Sequence, residues 1–233
     1  AFFAAFLFAF DAMHFVQTRI ATIDVYAVFF IILMFYFMYR YMTAEGSGSL
    51  KETFVPLALS GLCFGLGAAS KWISLYAGAG LAVLFFLSLW ERWRKYRRAA
   101  ARDADFPRKT VLTLLWCVLW FVIVPAAVYV LSYIPFMMVP GPGHGLKDVF
   151  TYQIHMYKYH SELVATHPFS SNWYEWPTME KPVWYYAAPE LDEGLTSVIV
   201  ALGNPAVWGW VGIAAVAASL WLGVRGRDRR ILF

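Results

Sequence analysis

Between residues 54 and 90 the chain carries one charge, Lys71, and is otherwise apolar or small. A helix crosses roughly 30 Å of hydrocarbon with about 20 apolar residues, so this run is too long for one crossing and suits two. A charge is costly at mid-membrane, which places Lys71 where the two helices meet, in the turn Ala68-Ala69-Ser70-Lys71-Trp72. Similar runs occupy residues 23–42, 111–138 and 206–224, and residues 1–10 read as part of another, giving five spans and a partial one. Pro125 marks an expected kink. With 61% hydrophobic and 15% charged residues, against about 45–50% and 25% in soluble domains, a soluble globular fold is excluded. The 20 Phe, 14 Tyr and 11 Trp exclude disorder, and two Cys exclude a disulfide scaffold. Cys63 and Cys117 lie in apolar runs and read as buried free thiols. The fold class is all-α, a polytopic transmembrane helical protein. The chain opens inside an apolar run without a methionine and reads as an internal piece of a longer protein.

Lysines and arginines set the expected orientation. Eight of them lie between Arg92 and Lys109, and Arg225, Arg227, Arg229 and Arg230 follow the last span. Both clusters mark the cytoplasmic side. Residues 139–204 instead hold three lysines against seven acids and face outward. Counting back through the spans, Lys71 is also outward, as are Arg19 and Asp24. The net charge of +4 is therefore a topology signal. It is a poor sign of nucleic-acid binding, because the basic residues flank spans and lack an interleaved stacking platform. Asp11, His14, Gln17, Arg19, Asp24, Lys71 and the four histidines of the long loop (His144, His155, His160 and His167) fall on the outer face, where a fold that gathers them makes a polar cavity.

Three segments could carry chemistry. The first is the polar string from Asp11 to Asp24. Arg19 keeps its charge at any relevant pH, and its planar fork matches phosphate oxygens. It suits either the phosphate of a lipid carrier or a headgroup-anchoring role. Asp24 suits orienting Arg19 or capping the helix that follows. The second is the turn at Lys71, a further phosphate candidate whose neighbour Trp72 equally fits an interfacial anchor pair. Gly61, Gly65 and Gly67 before it have spacing for close helix approach; they lack the spacing of a nucleotide loop. The third is the outer segment 150–186, with eleven aromatics. It suits an amphipathic interfacial element or stacking faces for a sugar. Its histidines lack metal-pair spacing, so no metal site is expected. Glu175 sits between Trp173 and Trp176, where burial would raise its pKa toward acid–base use, or else in a solvated loop.

These segments together resemble the protein O-mannosyltransferase family. HFVQTRIATIDVYAVFF (14–30) resembles the stretch after that family's first outer loop, where an outward arginine precedes a span. GLGAASKWISLYAG (65–78) resembles its later lysine-bearing turn. HPFSSNWYEWPTMEKPVWYY (167–186) resembles a stretch of the bacterial C-terminal membrane region. The resemblance implies a GT-C membrane glycosyltransferase of the bacterial plasma membrane, with its active site on the outer face. Such an enzyme moves mannose, with inversion, from polyprenyl-phosphate-mannose to Ser or Thr hydroxyls of secreted or membrane proteins. Arg19 and Lys71 would then hold the carrier phosphate, with Gln17 and Asp24 supporting them. His167, Trp173, Glu175 and Trp176 are candidate acceptor or sugar contacts. No cofactor is firmly implied; the lipid-phosphate sugar is the donor substrate. The family's catalytic acidic pair is expected upstream of Ala1, so residues 1–233 would hold no catalytic residue and be inactive on their own. Residues 1–110 would belong to the N-terminal membrane region, and residues 111–233, with the long outer loop 139–205, to the C-terminal one. A carrier-dependent transferase acting on lipid A or a wall polymer shares the same polar geometry. A lipid-linked-sugar transporter would need mid-span polar groups and internal repeats, which the sequence lacks.

Overall fold

The computed structural model describes residues 2–44, 50–99, 104–164, 170–188, 195–205 and 207–226. Five of its helical stretches are long and apolar enough to cross a membrane: Asp24–Thr43, Leu50–Ser70, Ile73–Arg98, Phe106–Met137 and Gly209–Gly226. These match the five expected spans, and the break between the second and third falls at Lys71-Trp72. A helix-dominated architecture with several helices of membrane-spanning length and apolarity is thus observed. In hydrocarbon each backbone polar group must be satisfied within its own helix, so apolar runs of this length have no other stable conformation.

The chain forms two compact units, with boundaries at Val25/Tyr26 and Ser161/Glu162. The larger holds nearly all of α3 (Asp24–Thr43), with α4 (Leu50–Ser70), α5 (Ile73–Arg98) and the segmented span that follows. Its core is Met34, Met38, Tyr41, Leu57, Leu81 and Phe85, drawn from the facing sides of α3, α4 and α5. Polar contacts also bind spans together. The buried Ser60 hydroxyl of α4 donates to the Met34 carbonyl of α3 at 2.8 Å. The Trp116 indole donates to the Phe54 carbonyl at 2.9 Å while its ring stacks on Phe54. Hydrogen bonds of this kind add to van der Waals packing where lipid supplies no hydrophobic drive between helices.

The span Phe106–Met137 is built of α6 (Phe106–Val118), a π-helical turn (Leu119–Ile123), α7 (Val124–Leu131) and the short α8 (Ile134–Met137). It starts five residues earlier than the apolar run, with Pro107 in its first turn, where a missing N–H costs nothing. The kink expected at Pro125 takes the form of the wide turn just before it. Pro125 has no N–H for the Phe121 carbonyl, and the Val124 N–H reaches back five residues to Leu119. Gly61 and Gly65 of α4 pack against this irregular stretch. A Cβ on Gly61 would lie 2.2 Å from the Trp120 carbonyl oxygen, and one on Gly65 would lie 2.9 Å from the Pro125 Cα. The glycine spacing read from sequence therefore works as a helix contact, and its partner is the π turn and its proline.

The second unit comprises α1 (Phe2–Ala9), α2 (Ala12–Arg19), a 3-10 turn (Trp173–Thr178), a hairpin of β1 (Val183–Ala187) and β2 (Val198–Ala201), and α10 (Gly209–Gly226). The strands pair antiparallel, Val183 opposite Ala201 and Ala187 opposite Val198, with a bulge between Trp184 and Tyr186. This hairpin adds a small sheet to the expected all-helical fold. Residues 139–204 also contain α9 (Leu146–Glu162), packed in the larger unit through buried Val149.

Candidate functional site

Asp11 organises the start of α2. It is 4% exposed. Its Oδ1 accepts the His14 backbone N–H at 3.0 Å, capping the helix. Its Oδ2 accepts the Asn204 N–H and the Trp208 indole N–H, each at 3.0 Å. A buried carboxylate is tolerated when N–H donors surround it, and two of these come from chain positions nearly two hundred residues away. The His14 ring packs at a tilt of 31° against Phe8, its centroid 3.9 Å away, which fits a local packing role.

Arg19 is the last residue of α2, where a cation complements the helix dipole. Its side chain is exposed and lies over the Phe15 ring at 5.0 Å. Among the described residues no carboxylate pairs with it. After Arg19 the chain reverses sharply. Ala21 adopts a left-handed conformation, φ 54°, at a cost of about 1–2 kcal/mol for a residue with a Cβ. The Thr22 hydroxyl closes the turn, lying 3.3 Å from the Gln17 carbonyl and 3.1 Å from Gln17 Oε1. Gln17 Nε2 donates to the Tyr185 hydroxyl of β1. Gln17 is thus held between Thr22 and the hairpin, and Tyr185 is a neighbour that sequence reasoning missed. Asp24 is the first residue of α3, a position where its charge favours the helix dipole.

In the larger unit Lys71 is exposed, in the two-residue break between α4 and α5. Its N–H donates to the Gly67 carbonyl at 2.9 Å, and its carbonyl accepts the Ser74 N–H at 3.1 Å, so its backbone ends one helix and begins the next. An apolar cleft of about 360 Å³ lined by Phe64, Leu81, Phe85, Cys117 and Phe121 lies between the spans of the same unit. Among the described residues His, Cys, Asp and Glu do not gather in groups of three that could hold a metal.

At Glu175 the solvated-loop alternative holds, and the pKa rise that burial would give is not found. Its carboxyl lies below the usual carboxylate range, because the Asn172 backbone N–H and side-chain amide hydrogen-bond to it. The flanking Trp173 and Trp176 are 74% and 62% exposed and do not bury it. Asn172 and Glu175 form a reciprocal capping box on the 3-10 turn, and the N-x-x-E spacing was the sequence signal for it. The sign follows directly. A carboxyl whose folded value lies below its ordinary 4.5 contributes stability above that value and loses it as pH falls through the lowered one. Acid titration of tryptophan emission is therefore expected to show a transition below pH 4.5 that Glu175→Ala removes. Identical titrations of both proteins would mean the capping box does not hold the turn. His167 lies outside the described residues.

With this geometry in place, comparison with known proteins is decisive. The family described as dolichyl-phosphate-mannose-protein mannosyltransferase matches residues 1–139, more than half of the chain. The chain belongs to the protein O-mannosyltransferase family. The C-terminal four-transmembrane region of the protein O-mannosyltransferases matches residues 145–230. Two relatives from Mycolicibacterium smegmatis, strains mc(2)155 and MKD8, are both named polyprenol-phosphate-mannose–protein mannosyltransferase. Each is 25% identical over an alignment 281 positions long, gaps included, that covers 97% of this chain and 51% of the relative. The chain spans about half the length of these curated relatives. No solved structure matches it. Protein O-mannosyltransferases are polytopic GT-C membrane glycosyltransferases, and the five spans of this chain are of that kind.

Proposed function

We propose that the whole protein transfers mannose from a polyprenyl-phosphate carrier to Ser or Thr hydroxyls of secreted or membrane proteins. Transfer takes place on the outer face of the bacterial plasma membrane, with inversion at the anomeric carbon. The observation that carries this reading is Arg19, an exposed guanidinium without a carboxylate partner among the described residues, inside the region that matches the family. As the sugar C1–O bond breaks, negative charge grows on the carrier phosphate, and a fixed guanidinium stabilises that charge. Lys71 supplies a second cation in this reading. Gln17 and Asp24 support the pair, Gln17 by fixing the turn after α2 and Asp24 from the first turn of α3. The acceptor hydroxyl needs a general base as it attacks, and a single displacement by it inverts the sugar. Exposed Trp173 and Trp176, with Glu175 and His167, serve as contacts for acceptor or sugar, since aromatic faces stack on the apolar side of a pyranose. Residues 1–110 supply the carrier-phosphate side, and residues 111–233 the long outer segment.

The test uses the full-length protein in detergent, with polyprenyl-phosphate-mannose and a Ser/Thr-rich peptide. A peptide mass gain of one hexose is the expected result, and NMR of the anomeric centre in donor and product reads the inversion. Donor binding without transfer would redirect the reading to another acceptor, such as lipid A or a wall polymer. The absence of both donor binding and transfer would overturn it.

A further inference from the structure

We propose that Tyr129 and Gln153 are positioning residues for Lys71, acting through Trp72; the proposal rests on the reading of Lys71 as a carrier-phosphate ligand. Four side chains meet in one hydrogen-bonded cluster. The Trp72 indole N–H donates to the Tyr129 hydroxyl of α7 at 2.9 Å. The Tyr129 hydroxyl donates to Gln153 Oε1 of α9 at 2.5 Å. Gln153 Nε2 donates to the Tyr133 hydroxyl at 3.0 Å and to the Val149 carbonyl at 2.9 Å. The Tyr133 and Tyr129 hydroxyls lie 3.3 Å apart.

The direction of this chain of bonds is determined chemically. An indole nitrogen only donates, so Tyr129 must accept from Trp72 and offer its own proton onward. Gln153 must then present its carbonyl oxygen to Tyr129, which aims both amide N–H bonds at Tyr133 and Val149. Every partner is used, so each side chain has one arrangement that satisfies the rest.

Trp72 and Lys71 are the whole of the break between α4 and α5. The Leu75 N–H donates to the Trp72 carbonyl at 2.9 Å, so the Trp72 backbone is part of the first turn of α5. Holding its ring against Tyr129 therefore fixes the peptide plane from which Lys71 projects. Neither Tyr129 nor Gln153 touches the phosphate in this arrangement. Their effect is on where Lys71 stands.

The experiment is a mutant cycle in the full-length protein, reading KM for polyprenyl-phosphate-mannose and kcat in peptide transfer. Tyr129→Phe removes the acceptor for Trp72 and the donor to Gln153. Trp72→Phe cuts only the link to the turn and leaves the Tyr129–Gln153–Tyr133 contacts intact, so it serves should Tyr129→Phe fail to fold. Each is expected to raise donor KM roughly tenfold, within the range produced by a displaced positioning group, while acceptor KM stays unchanged. In a Lys71→Ala background the same substitutions are expected to add nothing to donor KM. A merely structural cluster would lower the amount of active protein, leave donor KM alone, and act equally in both backgrounds. That result, or a full effect persisting without Lys71, overturns the positioning role. If Lys71→Ala itself leaves donor KM unchanged, the phosphate reading of Lys71 fails, and the proposal falls with it.

Discussion

Arg19→Ala in the full-length protein is expected to lower kcat/KM for mannosyl transfer by at least about 100-fold, the scale on which removal of one fixed charge-stabilising donor acts. The expectation follows from what Arg19 does not do. Among the described residues it forms no ion pair with a carboxylate, and its side chain rests on the Phe15 ring at 5.0 Å. Such an exposed cation–π contact contributes about 0.5–1 kcal/mol, too little for its loss to unfold a chain held by five spans. Expression and thermal stability in detergent are therefore expected to stay at their normal level. The C-terminal end of α2 carries partial negative charge, which opposes an anion, yet this amounts to about half an elementary charge against a full guanidinium. Arg19→Lys keeps the charge and loses the bidentate fork, so an intermediate rate is expected. A rate for Arg19→Ala equal to that of the unmodified protein would make Arg19 a headgroup anchor.

The largest effect on the fold is expected at the glycines of α4. Glycine in a helix interior is about 1 kcal/mol worse than alanine by intrinsic propensity, so alanine would stabilise a helix facing only lipid. At Gly61 the sign reverses. The new Cβ would lie 2.2 Å from the Trp120 carbonyl oxygen and 2.7 Å from its carbon, both backbone atoms that cannot rotate aside. At Gly65 it meets the Pro125 Cα at 2.9 Å. The spans must then separate, and the contacts along α4 and α7 loosen together. Gly61→Ala with Gly65→Ala is expected to destabilise by at least about 2 kcal/mol net, typical of overpacking, read as a lower unfolding temperature and loss of monodisperse protein in detergent. Gly80→Ala is the control. Its Cβ would approach only the Phe35 ring, at 3.8 Å, so neutral or raised stability is expected. Equal loss at all three positions would show that glycine flexibility, and not close approach, is what these helices require.

The readings that succeeded from sequence rest on interactions within a short window or with the bilayer. Five spans are visible because hydrocarbon imposes length and apolarity on each one separately, and the break at Lys71 is visible because a charge avoids the middle of a span. The capping box of Asn172 and Glu175 was equally legible by its spacing. Of the two alternatives that the sequence leaves open at Glu175, the structure selects the solvated loop, because the flanking tryptophans are exposed and do not desolvate the carboxyl. The β1–β2 hairpin gave less signal, since Val183–Ala187 is exposed along its length and bulged, without the alternation that marks a half-buried strand.

The sequence by itself determined that this chain is a helical membrane protein, where its spans break, and which cations stand at their ends. It also supplied the spacing by which α4 packs. Only the tertiary structure decided what those groups meet. Gly61 and Gly65 face a π turn whose register depends on Pro125 and on the neighbour pressed against it. Asp11 takes its donors from Asn204 and Trp208, Gln17 reaches Tyr185, and Trp72 reaches Tyr129. The physical reason is range. Helix propensity, capping and transfer into lipid are set by neighbours a turn away, and can be summed along the chain. The partner of a buried carboxylate or an indole N–H is whichever group the packed spans bring within 3 Å, and no local pattern specifies it.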